Sequence, residues 1–260
     1  MLALLDNEHI IFAMLKSFVT LFKSRDMTKG NLFGKMILFA IPAMLTTMMQ
    51  LLYVTIDLTT VHYGDSAESM GATASSNIEG YFYAICDAIA VSTMTFIAAN
   101  VGAKNKDNIK KCILFGLIWG MVFNVLIAVT ILLFHNQLLS LFVDNEESIK
   151  AGYTRLAIMA YLYFLDFTMI FTAAVLRGLR RSTFPMLTTL LCCTVLRIVL
   201  ILTLFPLEMF HTVFWLYALF PITWVIATIM NVIALIVVLP KDLKRIELSR
   251  GEETPLSENL

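Results

Sequence analysis

Five ionisable side chains lie inside long apolar stretches of the sequence: Asp57, Glu79, Asp87, Asp166 and Arg197. A charge in such surroundings is costly, so each is expected to face a polar interior or a water-filled cavity. Four of the five are carboxylates, whose affinity for a proton or a small cation depends on their surroundings. Burial opposes the charge of a carboxylate, whereas a neighbouring cation supports it. Counted at about 1.5 Å per residue from the ends of each stretch, Asp87, Asp166 and Arg197 come to one depth near the middle, and Asp57 and Glu79 lie toward one side. For Arg197 the sequence favours a structural ion pair with Asp166 or Asp87, because a lone guanidinium would not persist there. Asp57 is expected to be an ion-coupling group: its own stretch holds no cationic residue, and Gln50, Tyr53 and Thr55 offer polar atoms without neutralising it. Glu79 is close enough to a boundary for solvation to account for it. With Asp87 and Asp166, it is also a candidate for lining a substrate cavity.

Enzymatic chemistry has little to work with. The sequence contains no nucleophile elbow, phosphate-cradling glycine loop or H-E-x-x-H motif, and His9, His62, His135 and His211 all fall outside the apolar interiors. Asp87 and Asp166 could imitate an aspartyl dyad, but no G-x-G-D motif accompanies either. Cys86, Cys112, Cys192 and Cys193 lack metal-ligand spacing and read as small core residues, with the adjacent pair directed to different faces of one helix. No enzyme, cofactor or metal site is expected.

The elements that must position these groups follow from composition. The 260 residues are 59% hydrophobic and only 15% charged, with a mean hydropathy of +0.81, and a soluble core could not absorb so much apolar surface. Basic and acidic residues balance at 19 each, so no basic field points to a nucleic-acid partner. Six apolar stretches reach the length of about 20 residues that a membrane-crossing helix needs: Met36 to Val61, Ile78 to Val101, Cys112 to Phe134, Leu156 to Leu176, Phe184 to Phe205, and Val213 to Leu239. Lysines and arginines collect in alternate connections, at Lys23, Arg25, Lys29 and Lys35, then Lys104, Lys106, Lys110 and Lys111, then Arg177, Arg180 and Arg181, then Lys241, Lys244, Arg245 and Arg250. Because basic residues stay on the cytoplasmic side, the expected architecture is an all-α membrane bundle of six helices with both termini cytoplasmic.

Residues 1–26 read as an amphipathic helix on the membrane surface or a disordered extension, without the features of a cleaved signal peptide. Residues 27–241 form the membrane bundle, and 242–260 a cytoplasmic tail that is polar and disordered from Ser249. Pro42, Pro185 and Pro221 lie within or at the ends of spans, where they free backbone carbonyls and permit bending. Tyr81, Phe82, Tyr83, Tyr161, Tyr163 and Phe164 suit either an interfacial belt or an aromatic lining for flat cations, and sequence alone does not separate the two.

The stretch MTKGNLFGKMILFAIPAMLTTMMQLLYVTID, Met27 to Asp57, resembles the opening of multidrug and toxic compound extrusion (MATE) transporters, with a basic leader, F-A-I-P and Q-x-L-Y-x-x-x-D. In order along the chain, NIEGYFYAICDAIAVSTMTFIAANVGAKN (Asn77 to Asn105), LLSLFVDNEESIKAG (Leu138 to Gly152), LRGLRRSTFPM (Leu176 to Met186), LRI (Leu196 to Ile198) and FPITW (Phe220 to Trp224) resemble the same family. The resemblance implies a single-lobe hybrid. Its first span is like the first helix of the amino-terminal lobe, and the remainder from about Asn77 is like the carboxy-terminal lobe, with the join between Gly64 and Ser76. It also implies that Asp57 is a carboxylate coupled to protons or sodium, beside Gln50 and Tyr53. Two departures bear on transport competence: Ala98 and Ala99 replace a glycine and a glutamine, and Arg180 replaces the second glycine of L-R-G-x-G.

The expected function is cation-coupled efflux of organic cations or drugs across the plasma membrane, by alternating access between two bundles of which this chain supplies one. The coupling ion is H+ or Na+, the partners are the lipid bilayer and a small organic cation, and a parallel homodimer could supply the second bundle. Two alternatives stand beside it. One is a nontransporting remnant that only associates with other membrane proteins. The other is a lipid-linked saccharide flippase, which would want more interior cations than Arg197.

Overall fold

Asn105 and Asn145 each start a long helix by accepting a hydrogen bond from a backbone amide of the first turn, Asn108 N and Glu147 N respectively, both at 3.1 Å. The computed structural model describes residues 66–204 and 213–251, together with Ile37, Met44, Met48, Leu51 and Thr55. In it, helix α1 is Ser66–Gly102, α2 Lys106–Leu139 and α3 Glu146–Gly178. Helix α4, Thr183–Leu204, is interrupted by a π-helical stretch over Thr189–Val195, and α5 is Val213–Gly251. All five are long and apolar enough to cross a membrane, and the elements among the described residues are all helical. Connections of three to six residues join the first four, which makes sequential helices antiparallel neighbours.

Helix α3 is central and packs on α1, α2 and α5. Leu156, Met159, Tyr163, Phe167, Phe171 and Val175 recur at three- and four-residue steps on its buried face and share one core with Phe82, Cys86 and Ile97 of α1. Helix α2 is peripheral, with Leu114, Phe115, Ile118, Trp119 and Leu126 exposed along its outer side. An apolar surface of that extent suits lipid rather than water. The chain is therefore a multi-pass membrane protein.

Several boundaries differ from the sequence reading. Helix α1 begins at Ser66 rather than Ile78 and runs unbroken through most of the inferred join. The stretch SAESMGATASSN has a single large apolar residue, the exposed Met70, and its small side chains let α1 approach α3 closely. A Cβ added at Gly71 would sit 2.3 Å from the Ser148 carbonyl oxygen and 2.6 Å from the Gly152 amide nitrogen. Gly71→Ala is expected to separate the two helices and cost about 1–3 kcal/mol, measurable as a lowered midpoint of denaturation in mixed detergent micelles. Helix α2 continues to Leu139, bending at Phe134 (φ −110°, ψ 19°), where the sequence reading ended it. Helix α5 contains Pro221 and also Pro240, and it continues through Gly251, so the tail expected to be disordered is helical over its first residues. The first expected span, Met36 to Val61, lies outside the described residues apart from Ile37, Met44, Met48, Leu51 and Thr55. These five are helical and exposed. Residues 1–26 and 252–260 also lie outside the described residues.

The two tight turns at the basic end use non-glycine residues in the left-handed region, Lys104 at φ 54° and Arg180 at φ 64°. Such a conformation strains any residue with a Cβ. Replacing Arg180 by glycine is expected to stabilise the turn by about 1 kcal/mol, the relief of strain exceeding the added flexibility of the unfolded chain. An unchanged or lowered denaturation midpoint for Arg180→Gly would contradict that account. Beside it, Arg181 holds Asp242 of α5 through two hydrogen bonds, at 3.0 and 3.3 Å. This hydrogen bonding raises the arginine pKa.

Candidate functional site

The bundle interior contains a polar column along α3. In its first layer Arg155 donates to Glu79 of α1 at 3.0 Å and to the Ala72 carbonyl at 3.2 Å, while the Ser75 hydroxyl donates to the other Glu79 oxygen at 3.2 Å. Both charged side chains are under 5% exposed. The expectation that solvation accounts for Glu79 is thus corrected: the residue is buried, and an arginine meets its charge. The Arg155 guanidinium also faces the rings of Tyr217 and Phe220 of α5, 5.4 and 5.6 Å from their centroids. Glu79 and Arg155 thus form a buried ion pair inside the bundle, one that the sequence reading did not include.

Two and three turns further along α3 are Tyr163 and Asp166, both buried. The Tyr163 ring stacks on Phe82 at 3.8 Å between centroids, and its backbone carbonyl accepts from the Asn124 side chain of α2 at 3.1 Å. It lies in the electrostatic field of Glu79, Arg155 and Asp166. The Tyr163 hydroxyl and the Asp166 Oδ2 are buried without a hydrogen-bond partner, as are both amide atoms of Asn231 and the Thr194 hydroxyl. Asn231 is one turn along α5 from Thr228, whose hydroxyl donates to the Leu165 carbonyl at 3.3 Å. That bond brings this face of α5 against α3 beside Asp166. Buried polar atoms left in this condition are the sites at which water or an ion is held.

The π-helical stretch of α4 closes this layer. A π turn carries extra residues and re-aims side chains, and here both Cys192 and Cys193 are buried. Cys192 meets Met230 of α5, sulfur to sulfur at 3.5 Å, and Cys193 meets Met169 of α3 at 3.4 Å. The adjacent thiols therefore face different helices, as their spacing suggested. Arg197 follows directly, buried, with its guanidinium over the Phe220 ring. One aromatic side chain of α5 is thus flanked by both interior arginines.

The remaining sequence candidates fall elsewhere. Asp87, in the middle of α1, is exposed, away from the buried column. Asp57, Gln50 and Tyr53 lie outside the described residues. Among the aromatics, Phe82 and Tyr163 are core, whereas Tyr81, Tyr161 and Phe164 are exposed and suited to a lipid-facing surface. Arg155, Asn231 and Thr194 were missed. Arg155 lies one residue before the assigned start of its span, but the Asn145-Glu146-Glu147 sequence is a helix-start signal that places it nine residues inside α3.

Asp166 offers a buried carboxylate oxygen, with the Tyr163 phenol one turn away, and such a group can hold a proton or a small cation. The site contains no activated nucleophile. The MatE family model matches residues 42–203, more than half of the chain. The chain belongs to the MatE family. Two solved structures share its fold. One is a MOP superfamily transporter from Pyrococcus furiosus Vc1 (DSM3638), 19% identical with a TM-score of 0.67, the match covering 80% of this chain and 49% of that one. The other is an outward-facing multidrug resistance MATE family transporter of the MOP superfamily, 20% identical with a TM-score of 0.65 and the same coverages. At these identities the likeness is one of fold, and the chain spans about half the length of each. No curated protein sequence matches it. As a MatE chain with five described helices able to cross a membrane, it is a multi-pass protein of a membrane transporter family, and its resemblance to MATE transporters is confirmed.

Proposed function

We propose that the chain works in cation-coupled efflux of organic cations, with Asp166 as a coupling carboxylate. The observation that carries this reading is a carboxylate oxygen on the central helix, buried with no hydrogen-bond partner, one helical turn from the equally unpartnered Tyr163 hydroxyl. Glu79 is already neutralised by Arg155, so Asp166 is the buried acid best able to bind and release a proton or Na+. Differential affinity between two bundle packings then couples that ion to movement of substrate. Asp87, exposed at mid-span, is suited to a cavity wall where a cationic substrate would meet it. Asp57, with Gln50 and Tyr53, is kept as a second coupling group on the first span.

A cavity that opens alternately needs a second bundle, and a parallel second copy is one source of it. The second interior arginine does not favour a saccharide flippase, because Glu79 cancels its charge. The test is movement of a cationic dye by the purified chain reconstituted in vesicles, driven by a pH or a sodium gradient. Dye movement that follows either gradient supports the reading. A folded, correctly inserted chain that moves none under both gradients leaves the nontransporting remnant.

A further inference from the structure

Past Pro240, helix α5 leaves the apolar stretch and becomes two-sided. Leu243 and Ile246 are buried against the bundle. Lys241, Lys244, Arg245 and Leu248 are exposed, and at 100° per residue they fall within about a 100° arc on the opposite side of the helix. The acidic residues of the same segment face the bundle's own bases. Asp242 is held by Arg181 at 3.0 Å, and Glu247 pairs with Lys106 at the start of α2. Lys104 adds a hydrogen bond to the Ser249 carbonyl at 3.0 Å. These three ties fix the segment to the α1–α2 and α3–α4 turns, and although Glu247 is itself exposed, its charge is met by Lys106, so the arc formed by Lys241, Lys244 and Arg245 is basic. Among the described residues no acidic side chain pairs with Lys241, Lys244 or Arg245.

From Lys241 to Arg245 the helix rises about 6 Å, close to the depth of one headgroup layer of a bilayer. The segment begins where the apolar span ends, so its bases lie at the height of lipid phosphates.

We propose that this face of α5, Lys241, Lys244 and Arg245, binds the headgroups of anionic phospholipids in the leaflet at the basic end of the bundle. Basic clusters directly beyond a membrane helix attract acidic lipid through such charge complementarity. Here the helix is additionally fixed in one orientation by its contacts with the bundle.

The test uses the full chain in phosphatidylcholine bilayers containing spin-labelled phosphatidylglycerol or spin-labelled phosphatidylcholine, with the motionally restricted fraction as readout. The acidic lipid is expected to be preferred by about fivefold or more, roughly the factor contributed by one basic residue at a membrane surface, and raised salt should abolish the preference. The triple variant K241Q/K244Q/R245Q should lose most of the preference, whereas K241R/K244R and K150Q, the latter at the opposite end of the bundle, should keep it. Equal restriction of the two lipids in the unmodified chain would overturn the proposal and leave the face to a soluble acidic partner. A preference that survives in the triple variant would overturn it too.

Discussion

Replacing Arg155 by methionine is expected to destabilise the bundle by about 3–5 kcal/mol, the cost of stranding one member of a buried ion pair. The structure supplies the reason: Glu79 would keep only the Ser75 hydroxyl, at 3.2 Å, in a site from which water is excluded. The double variant Glu79→Gln with Arg155→Met should recover most of the loss, because two charges removed together leave no uncompensated one. A useful contrast is Arg181→Ala, which breaks the ion pair with Asp242. The Arg181 side chain is 51% exposed, so that loss should stay within about 1 kcal/mol. Denaturation of the four proteins in mixed micelles reads all of these values. An Arg155→Met chain as stable as the unmodified one would show that Glu79 finds another partner or is neutral.

The second large effect is expected on transport. Asp166→Asn preserves the shape of the side chain and removes its charge, so folding and insertion should persist while gradient-driven dye movement falls to background. The amide cannot release a proton, and its neutral oxygen is a poor substitute for a carboxylate as a ligand for Na+. Asp166→Glu, which keeps the acid but displaces it by a methylene, should retain part of the movement. The comparison that matters is Asp57→Asn, the loss expected from the sequence. If it abolishes dye movement and Asp166→Asn does not, coupling belongs to the first span alone. If both abolish it, the two carboxylates work in series. Either substitution should be read beside a thermal unfolding curve of the same preparation, because only a folded and inactive variant bears on coupling.

Composition and charge placement determined much of this protein. A mean hydropathy of +0.81 demands lipid, and runs of about 20 apolar residues demand helices, because a backbone in hydrocarbon must satisfy its own hydrogen bonds. The family resemblance was legible for a related reason: its fragments recur in order along the helices and turns. The burden of the interior ion pair could not be read this way. Glu79 and Arg155 are 76 residues apart, and each looked solvated or peripheral because hydropathy marks where a span is apolar, not where its helix ends. The helix-start residues Asn145, Glu146 and Glu147 were the available signal, and they extend α3 far enough to include Arg155.

Tertiary structure alone decided which faces meet. Small residues at Gly71 and Gly152 bring α1 close to α3, and this contact carries Glu79 to Arg155. The π turn sets Cys192 and Cys193 against different helices. Tyr81 and Phe82 are adjacent in sequence, yet one is 72% exposed and the other 1%. A membrane helix is apolar all round, so its hydrophobic period does not say which side is core and which is lipid. That distinction arises only when helices pack, through close fit and the pairing of polar groups.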